Sequence, residues 1–420
     1  MLSKVRYLPS PRAAVTAAFI AYGASAGLWA GSIPAVTRNA QIDSLAFGLG
    51  ITFYGIAYVA TMSWGGTLAR FATNRAIILA SLPLIFTSQT FLLLSASPVW
   101  FLAMLVIFGA FQGVLDLFMN AEGSYVESDI GRPIFTRFHG SASGAMALFA
   151  IIGSLVMADL GAVWSAAILA LVLFAAFSFI ALRLPGRSSA MARPTADMPA
   201  PRLAPLVILG LAAGLVIAGE TAAIMWSGKL LDEQAPALLA IAGLGAAFYG
   251  LCNACLRFLG DKIRARFGDI SLIIGSLLLA TFGFASIGLS QSFLLSTISF
   301  AVTGFGTACV IPAIFALTAN HMSESRARAL GVVSLVAGLP RVAAPWFFGW
   351  IATVYSTSFA FGLCAIAMAA ALGFILLLQM IIRRTATPSR TPAASYPSAH
   401  GPRVNNAQGA NGTFNAPEYP

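Results

Sequence analysis

Gln112, Asp116 and Asn120 are spaced four apart, so a helix would place them on one face. Glu127 continues that face if the helix persists. Upstream, Trp100 to Ala110 is apolar without a break, which predicts a membrane-spanning segment. A carboxylate in lipid costs roughly 2.5–3.5 kcal/mol on insertion scales, so it turns toward a protein interior or a wet cavity. A stripe of three polar side chains fits a wet cavity better than one structural hydrogen bond between helices, the competing explanation. Two more ionisable groups lie within apolar runs: Glu220, ahead of Met225-Trp226-Ser227, and Arg341, flanked by Pro340 and Pro345. At 1.5 Å per residue, Glu220 and Arg341 lie roughly 22 and 20 Å from the ends of their runs, near the midplane, and Asp116 roughly 12 Å. An arginine stays charged in any environment, so Arg341 needs a counter-charge or an anionic solute. The shared level predicts a Glu220–Arg341 pair at rest, either a fixed structural pair or one that a solute opens. Asp116 has no basic residue at its own level, which suits a group that takes up and releases a proton.

Tyr22, Ser25, Trp29 and Ser32 fall on one face of the first apolar run. Rings flanked by hydroxyls suit a sugar or polyol, through stacking and hydrogen bonds. Trp29, near the end of its run, is alternatively an anchor at the membrane interface, and Trp226 carries the same ambiguity. Asn253 follows Tyr249 by four residues and faces either the same cavity or a packing bond. Glu122, Glu127, Arg132, Arg137 and His139 cluster where the fourth run meets the fifth, and read as a gate of salt bridges rather than a solute site. Cys252, Cys255, Cys309 and Cys364 lie in apolar runs and read as small core residues, because the CxxC spacing of the first two has neither a redox βαβ context nor a second ligand pair. With three histidines and no HExxH or P-loop sequence, nothing points to an intramembrane enzyme, a metal, a cofactor or an ATP-driven pump.

These residues sit in a chain of 420 residues that is 59% hydrophobic and 9% charged, with mean hydropathy +0.86. Soluble domains carry about 25% charged residues, so the expected class is an all-α integral membrane protein. The length accommodates about twelve spans, and the unbroken runs exclude the alternating segments of a barrel. We place the spans at 13–37, 45–69, 76–96, 98–124, 138–160, 162–184, 205–228, 237–259, 270–290, 292–319, 328–353 and 356–382. On that count the termini, the even-numbered loops and the span ends that adjoin them hold every Lys and Arg except Arg38 and Lys229, on the other face, and Arg341, in the middle of a span. The positive-inside rule then predicts that both termini are cytoplasmic. The net charge of +10 accordingly reflects membrane topology and not a nucleic-acid partner. Residues 185–204 are rich in Pro and Arg and read as a cytoplasmic linker between a six-span half at 1–184 and another at 205–384. Residues 385–420 read as a disordered cytoplasmic tail.

The halves echo each other. Gly66-Thr67-Leu68-Ala69-Arg70-Phe71-Ala72-Thr73-Asn74-Arg75 follows the second span, and Gly260-Asp261 with Arg266-Phe267-Gly268 follows the eighth. A 6+6 repeat with a basic linker resembles the major facilitator superfamily of secondary transporters. In that family's G-x-L-x-D-R-x-G-x-R motif, Gly66, Leu68 and Arg75 match, whereas Arg70 stands in the Asp position and Thr73 in that of the second Gly. The resemblance implies a cytoplasmic gate at Arg70, Asp261 and Arg266. Trp29…Ile33-Pro34, Asp116…Asn120 with Arg132-Pro133 and Phe138-His139, and Glu220…Trp226-Ser227 are similar to the fucose-permease-like branch and its uncharacterised bacterial members, over about residues 13 to 382. Met225 departs from the acidic residue expected before Trp226. The resemblance implies a monomer in a bacterial inner membrane, with Asp116 coupling solute to protons. Tyr22, Trp29, Asn120, Glu220, Trp226, Asn253 and Arg341 are the candidate solute-binding residues. A metabolite or drug exporter, an uncoupled facilitator and a non-transporting membrane sensor are the alternatives.

Overall fold

The computed structural model describes residues 11–131, 134–186, 203–321 and 326–385. The sequence expectations for the linker at 185–204, the tail at 385–420 and the Arg132–Pro133 pair fall wholly or mostly outside them. Residues up to Met380 belong to one compact unit; of the second, Ile381–Pro420, only the helical start is described. Among the described residues, twelve helices are long and apolar enough to cross a membrane. The first six are Pro11–Asn39, Ser44–Ser63, Asn74–Leu93, Pro98–Ile130, Phe135–Asp159 and Ala162–Arg183. The second six are Leu203–Gln234, Pro236–Gly260, Asp269–Leu289, Phe293–Thr318, Ala329–Val354 and Thr357–Ile381. They are numbered spans 1 to 12 below.

Local chemistry sets the ends. The Asp43 carboxylate accepts from the Ala46 N–H at 2.7 Å and opens span 2. Ser97 caps span 4 with Pro98 in its first turn, where the missing N–H costs nothing. Span 4 runs past the expected residue 124 to Ile130, where Gly131 at φ 70° supplies the left-handed stop. Span 10 is broken at Ala308–Cys309. Pro312, four residues beyond Ala308, lacks the N–H that would bond its carbonyl, and the Arg257 side chain takes that acceptor instead. In span 11 the Thr52 hydroxyl donates to Val342 O at 3.1 Å and accepts from Trp346 N at 3.0 Å. It thus replaces a helical bond beside Pro345.

Packing relies on close backbone approach. Gly23, Gly27 and Gly31 recur every four residues on span 1. A Cβ at each would lie 2.1, 2.2 and 2.0 Å from the carbonyl oxygens of Ala142, Met146 and Ala150 on span 5, the small-residue seam that membrane helices use. Gly27→Ala should cost about 1–3 kcal/mol, because the helices must separate to admit one methyl; a lowered thermal unfolding midpoint in detergent checks it. Further close contacts join early to late spans near one end of the bundle. Gly48 meets Pro345 and Gly349, Gly228 meets the Pro34 ring, and Gly243 meets Ala150. That end, which carries residues 38–43 and 229–241, is called the far end below.

Candidate functional site

Asp116 of span 4 faces spans 2 and 11. The Asn120 amide donates to its carboxylate Oδ1 at 2.9 Å and to its carbonyl at 2.8 Å. Tyr58 is its other hydrogen-bonding neighbour, and Arg341 is the cation whose charge acts on it. The Tyr22 and Tyr58 hydroxyls lie 3.3 Å apart. The Arg341 guanidinium lies over the Tyr58 ring, 4.6 Å from its centroid. Tyr54 stands 6.0 Å from Tyr58 and 5.8 Å from Phe108, ring to ring. Among the described residues no carboxylate lies within 4.0 Å of Arg341. The side-chain carbonyl oxygen of Asn120 is buried and has no hydrogen-bond partner among the described residues.

Glu220 lies in a second polar cluster. Its Oε1 is 3.9 Å from Arg257 Nη2, and Tyr249 and Thr307, themselves 2.8 Å apart, are its hydrogen-bonding neighbours. Arg257 also donates to Ser143 Oγ at 3.1 Å and to Ala308 O at 3.4 Å. Ser143 in turn donates to Asn253 Oδ1 at 3.3 Å, so Asn253 makes a packing bond to span 5 at the edge of this cluster.

Two expectations are corrected here. Glu220 pairs with Arg257, not Arg341, and Arg341 is the cation near Asp116. Depth along a helix can be counted from sequence; the direction a side chain faces cannot. Arg257 reads as part of a basic loop because Lys262, Arg264 and Arg266 follow it, but the helix continues to Phe267 and Arg257 points inward.

The stripe on span 4 also divides. Gln112 donates to Ser25 Oγ at 2.9 Å, Ser25 donates to Gln89 Oε1 at 2.5 Å, and Gln89 donates back to Ser25 O at 3.0 Å. Four residues overshoot one turn by about 40°, so Gln112 and Asn120 diverge by about 80°. Gln89, a polar residue in an apolar run, is the signal in the sequence that could have revealed this network. Ser32 donates to Gly153 O at 3.4 Å, so of the span 1 face only Tyr22 reaches Asp116. Trp29 is 1% exposed and Trp226 fully buried, which overturns an interface anchor for both. Trp29 packs near Phe101 and Phe108, and Trp226 lies 4.8 Å from each of Phe47 and Phe348. Neither indole N–H has a hydrogen-bond partner among the described residues. Cys255 is exposed on span 8 rather than in the core, Cys252 and Cys364 are half-buried, and Cys309 is buried.

The structure places the expected gate residues in separate contacts. Glu122 accepts from the Asn74 amide at 2.8 Å. Glu127 accepts from the backbone N–H groups of Ile134 and Phe135 at 2.7 and 2.6 Å, so it caps span 5. The His139 ring lies 5.1 Å from Phe19 and 5.0 Å from Phe135. Arg70 and Arg137 are exposed, and Arg266 lies over the Phe267 ring. Arg264 pairs with Asp269 across Gly268, whose φ is 79°. The Asp261 side chain is outside the described residues.

The far end holds an ion pair that the sequence did not announce. Arg38 of span 1 donates to Asp232 of span 7 at 2.5 Å. Beside it, Lys229 lies over the Phe47 ring, and Thr357 donates to Glu233 at 2.8 Å. Arg38 is half exposed, 47%, so the pair adds little stability, and its loss is expected to act on how readily this end opens. In a background with the four cysteines replaced, Asp232→Asn should speed maleimide labelling of a cysteine at the buried Thr37 several-fold, with little change in unfolding midpoint.

Twelve spans with ionisable clusters buried between them define a polytopic membrane protein with the major facilitator fold. The nucleoside transporter NupG superposes with a TM-score of 0.68 at 13% identity, covering 89% of this chain and 99% of that one. Residues 209–405 match the Major Facilitator Superfamily model. An uncharacterised MFS-type transporter of Yersinia pestis is 25% identical over 83% of this chain and 91% of its own length. An uncharacterised transporter of Sinorhizobium fredii is 25% identical over 83% and 93%. The chain thus has the fold of these transporters, matches the superfamily model over its second half, and is similar along most of its length to uncharacterised bacterial transporters.

Proposed function

We propose that this chain is a secondary transporter of the fucose-permease-like branch. It moves a sugar, polyol or sugar acid across a bacterial inner membrane by alternating access between halves at 1–184 and 205–384. It works as a monomer with both termini cytoplasmic, and solute movement is coupled to protons through Asp116. The observation that carries this reading is Asp116 itself, a carboxylate deep in span 4 whose neighbours come from spans 1, 2 and 11. Elements that move against each other thus meet at one titratable group. The far-end contacts, Arg38 with Asp232 and Gly48 with Gly349, support a resting state closed to the outside.

The test is internal pH in proteoliposomes with a trapped dye and no imposed gradient, on external addition of sugars, polyols and sugar acids. Acidification by one solute, absent in Asp116→Asn, supports symport. Silence from folded protein across the panel counts against it and favours a facilitator, exporter or sensor. One observation favours an exporter of apolar compounds as the second reading. A cavity of about 200 Å³ between spans 7, 11 and 12 is lined by Trp226, Phe348, Cys364 and other mostly apolar side chains.

A further inference from the structure

The two arginines inside the bundle are held differently. Arg257 is occupied: Glu220, Ser143 Oγ and Ala308 O all lie within its reach. Arg341 rests on the face of Tyr58 with no carboxylate within 4.0 Å among the described residues. A guanidinium has five N–H donors in a planar fork that matches a carboxylate; Tyr58 is its hydrogen-bonding neighbour, and one hydroxyl leaves most of the fork over. Beside it are the Tyr58 and Tyr22 hydroxyls, 3.3 Å apart, and the buried, unpartnered carbonyl oxygen of Asn120. The group thus offers a cationic fork, two hydroxyls and one free acceptor.

We propose that the cargo is a small hydroxylated monocarboxylate, with its carboxylate on the Arg341 fork and a hydroxyl donating to Asn120. The proposal rests on Asp116 lying in the solute path, as argued above. Charge supports it. With Asp116 ionised, the empty site holds one positive charge on Arg341 and one negative. An anion alone would leave it one charge negative, and an excess charge in a weakly polarisable interior is costly. One proton on Asp116 restores balance, so anion and proton cross together with no net charge. A neutral sugar entering with a proton on Asp116 would instead leave Arg341 uncompensated. Two carboxylates on one solute would overfill the site.

The test uses gluconate and galactonate as probes, with glucose, galactose and glucitol as neutral counterparts and glucarate as the dianion. Calorimetric binding to the purified full chain comes first. A monocarboxylate should bind while its neutral counterparts do not, and Arg341→Gln should weaken it at least tenfold. Arg341→Lys, which keeps the charge and loses the fork, should fall between. Asn120→Ala should weaken hydroxylated monocarboxylates several-fold and propionate, which has no hydroxyl, less. An unchanged unfolding midpoint certifies each variant; if Arg341→Gln does not fold, Arg341→Lys and the wild-type panel decide. In proteoliposomes, monocarboxylate uptake should be insensitive to a potential set with potassium and valinomycin.

Binding of neutral sugars in preference to their acids, Arg341→Gln affinity within twofold of wild type, or no binding by any probe would each overturn the assignment. Monocarboxylate uptake without acidification leaves the assignment standing and removes proton coupling. Acidification driven by a neutral sugar and accelerated by inside-negative potential does the reverse.

Discussion

Asp116→Asn should abolish solute-driven acidification and lower uphill accumulation at least tenfold, to simple equilibration, while solute binding stays close to that of the wild type. The reason is local. Asn120 donates to the Asp116 carboxylate, Tyr58 hydrogen-bonds it, and the Arg341 charge acts on it. Asparagine keeps the size and much of the hydrogen bonding of the neutral acid. It also resembles the protonated state, in which Arg341 is released to a solute, and so preserves binding. What asparagine cannot do is exchange a proton, and the link between proton and solute gradients is lost with that exchange. Counterflow exchange of labelled for unlabelled solute, which needs no net proton movement, should survive and shows that the variant still moves cargo. Asp116→Glu retains a titratable group displaced by about one methylene and should keep part of the coupling. Wild-type accumulation by Asp116→Asn would assign the coupling elsewhere, with Glu220 the next carboxylate to test.

The sequence contained the spans, the buried ionisable residues and their approximate depth, because these depend on composition and on a fixed rise per residue. Partnership depends on azimuth and on packing between helices distant in sequence, which one chain read in order does not supply. Glu220 and Arg341 share a level, yet Glu220 turns to Arg257 on the next span and Arg341 to Tyr58. Glu127 looks like a member of a charge gate in the sequence. It caps span 5 instead, because the loop is short enough to bring the N–H groups of Ile134 and Phe135 onto its carboxylate. The Gly23, Gly27 and Gly31 spacing is visible in the sequence but names no partner; only the fold brings it against span 5. The Arg38–Asp232 pair joins residues 194 positions apart, and a basic residue at the end of an apolar run gives no sign of which carboxylate it will meet.

Glu220→Ala should lower stability by about 3 kcal/mol, near the lower end of the range for removing one partner of a buried ion pair. Glu220 and Arg257 side chains are only 17% and 19% exposed, so the arginine left behind can neither discharge nor reach bulk water. Ser143 Oγ and Ala308 O still accept from it, which sets the loss below that of an isolated buried charge. Arg257→Leu alone should cost a similar amount, through an unpaired Glu220 and an uncovered Ala308 carbonyl at the break in span 10. The combined Glu220→Ala, Arg257→Leu variant removes both charges and should recover most of the lost stability, giving a coupling energy of about 2 kcal/mol in the double-mutant cycle. The cycle is read from unfolding midpoints in detergent. Recovery would make the pair an internal tie between spans 7 and 8, and uphill transport by the recovered variant would then show that Asp116 alone supplies the coupling carboxylate. Additive losses would mean that Arg257 is stabilised mainly by its span 5 and span 10 acceptors, leaving the Glu220 carboxylate available for cargo.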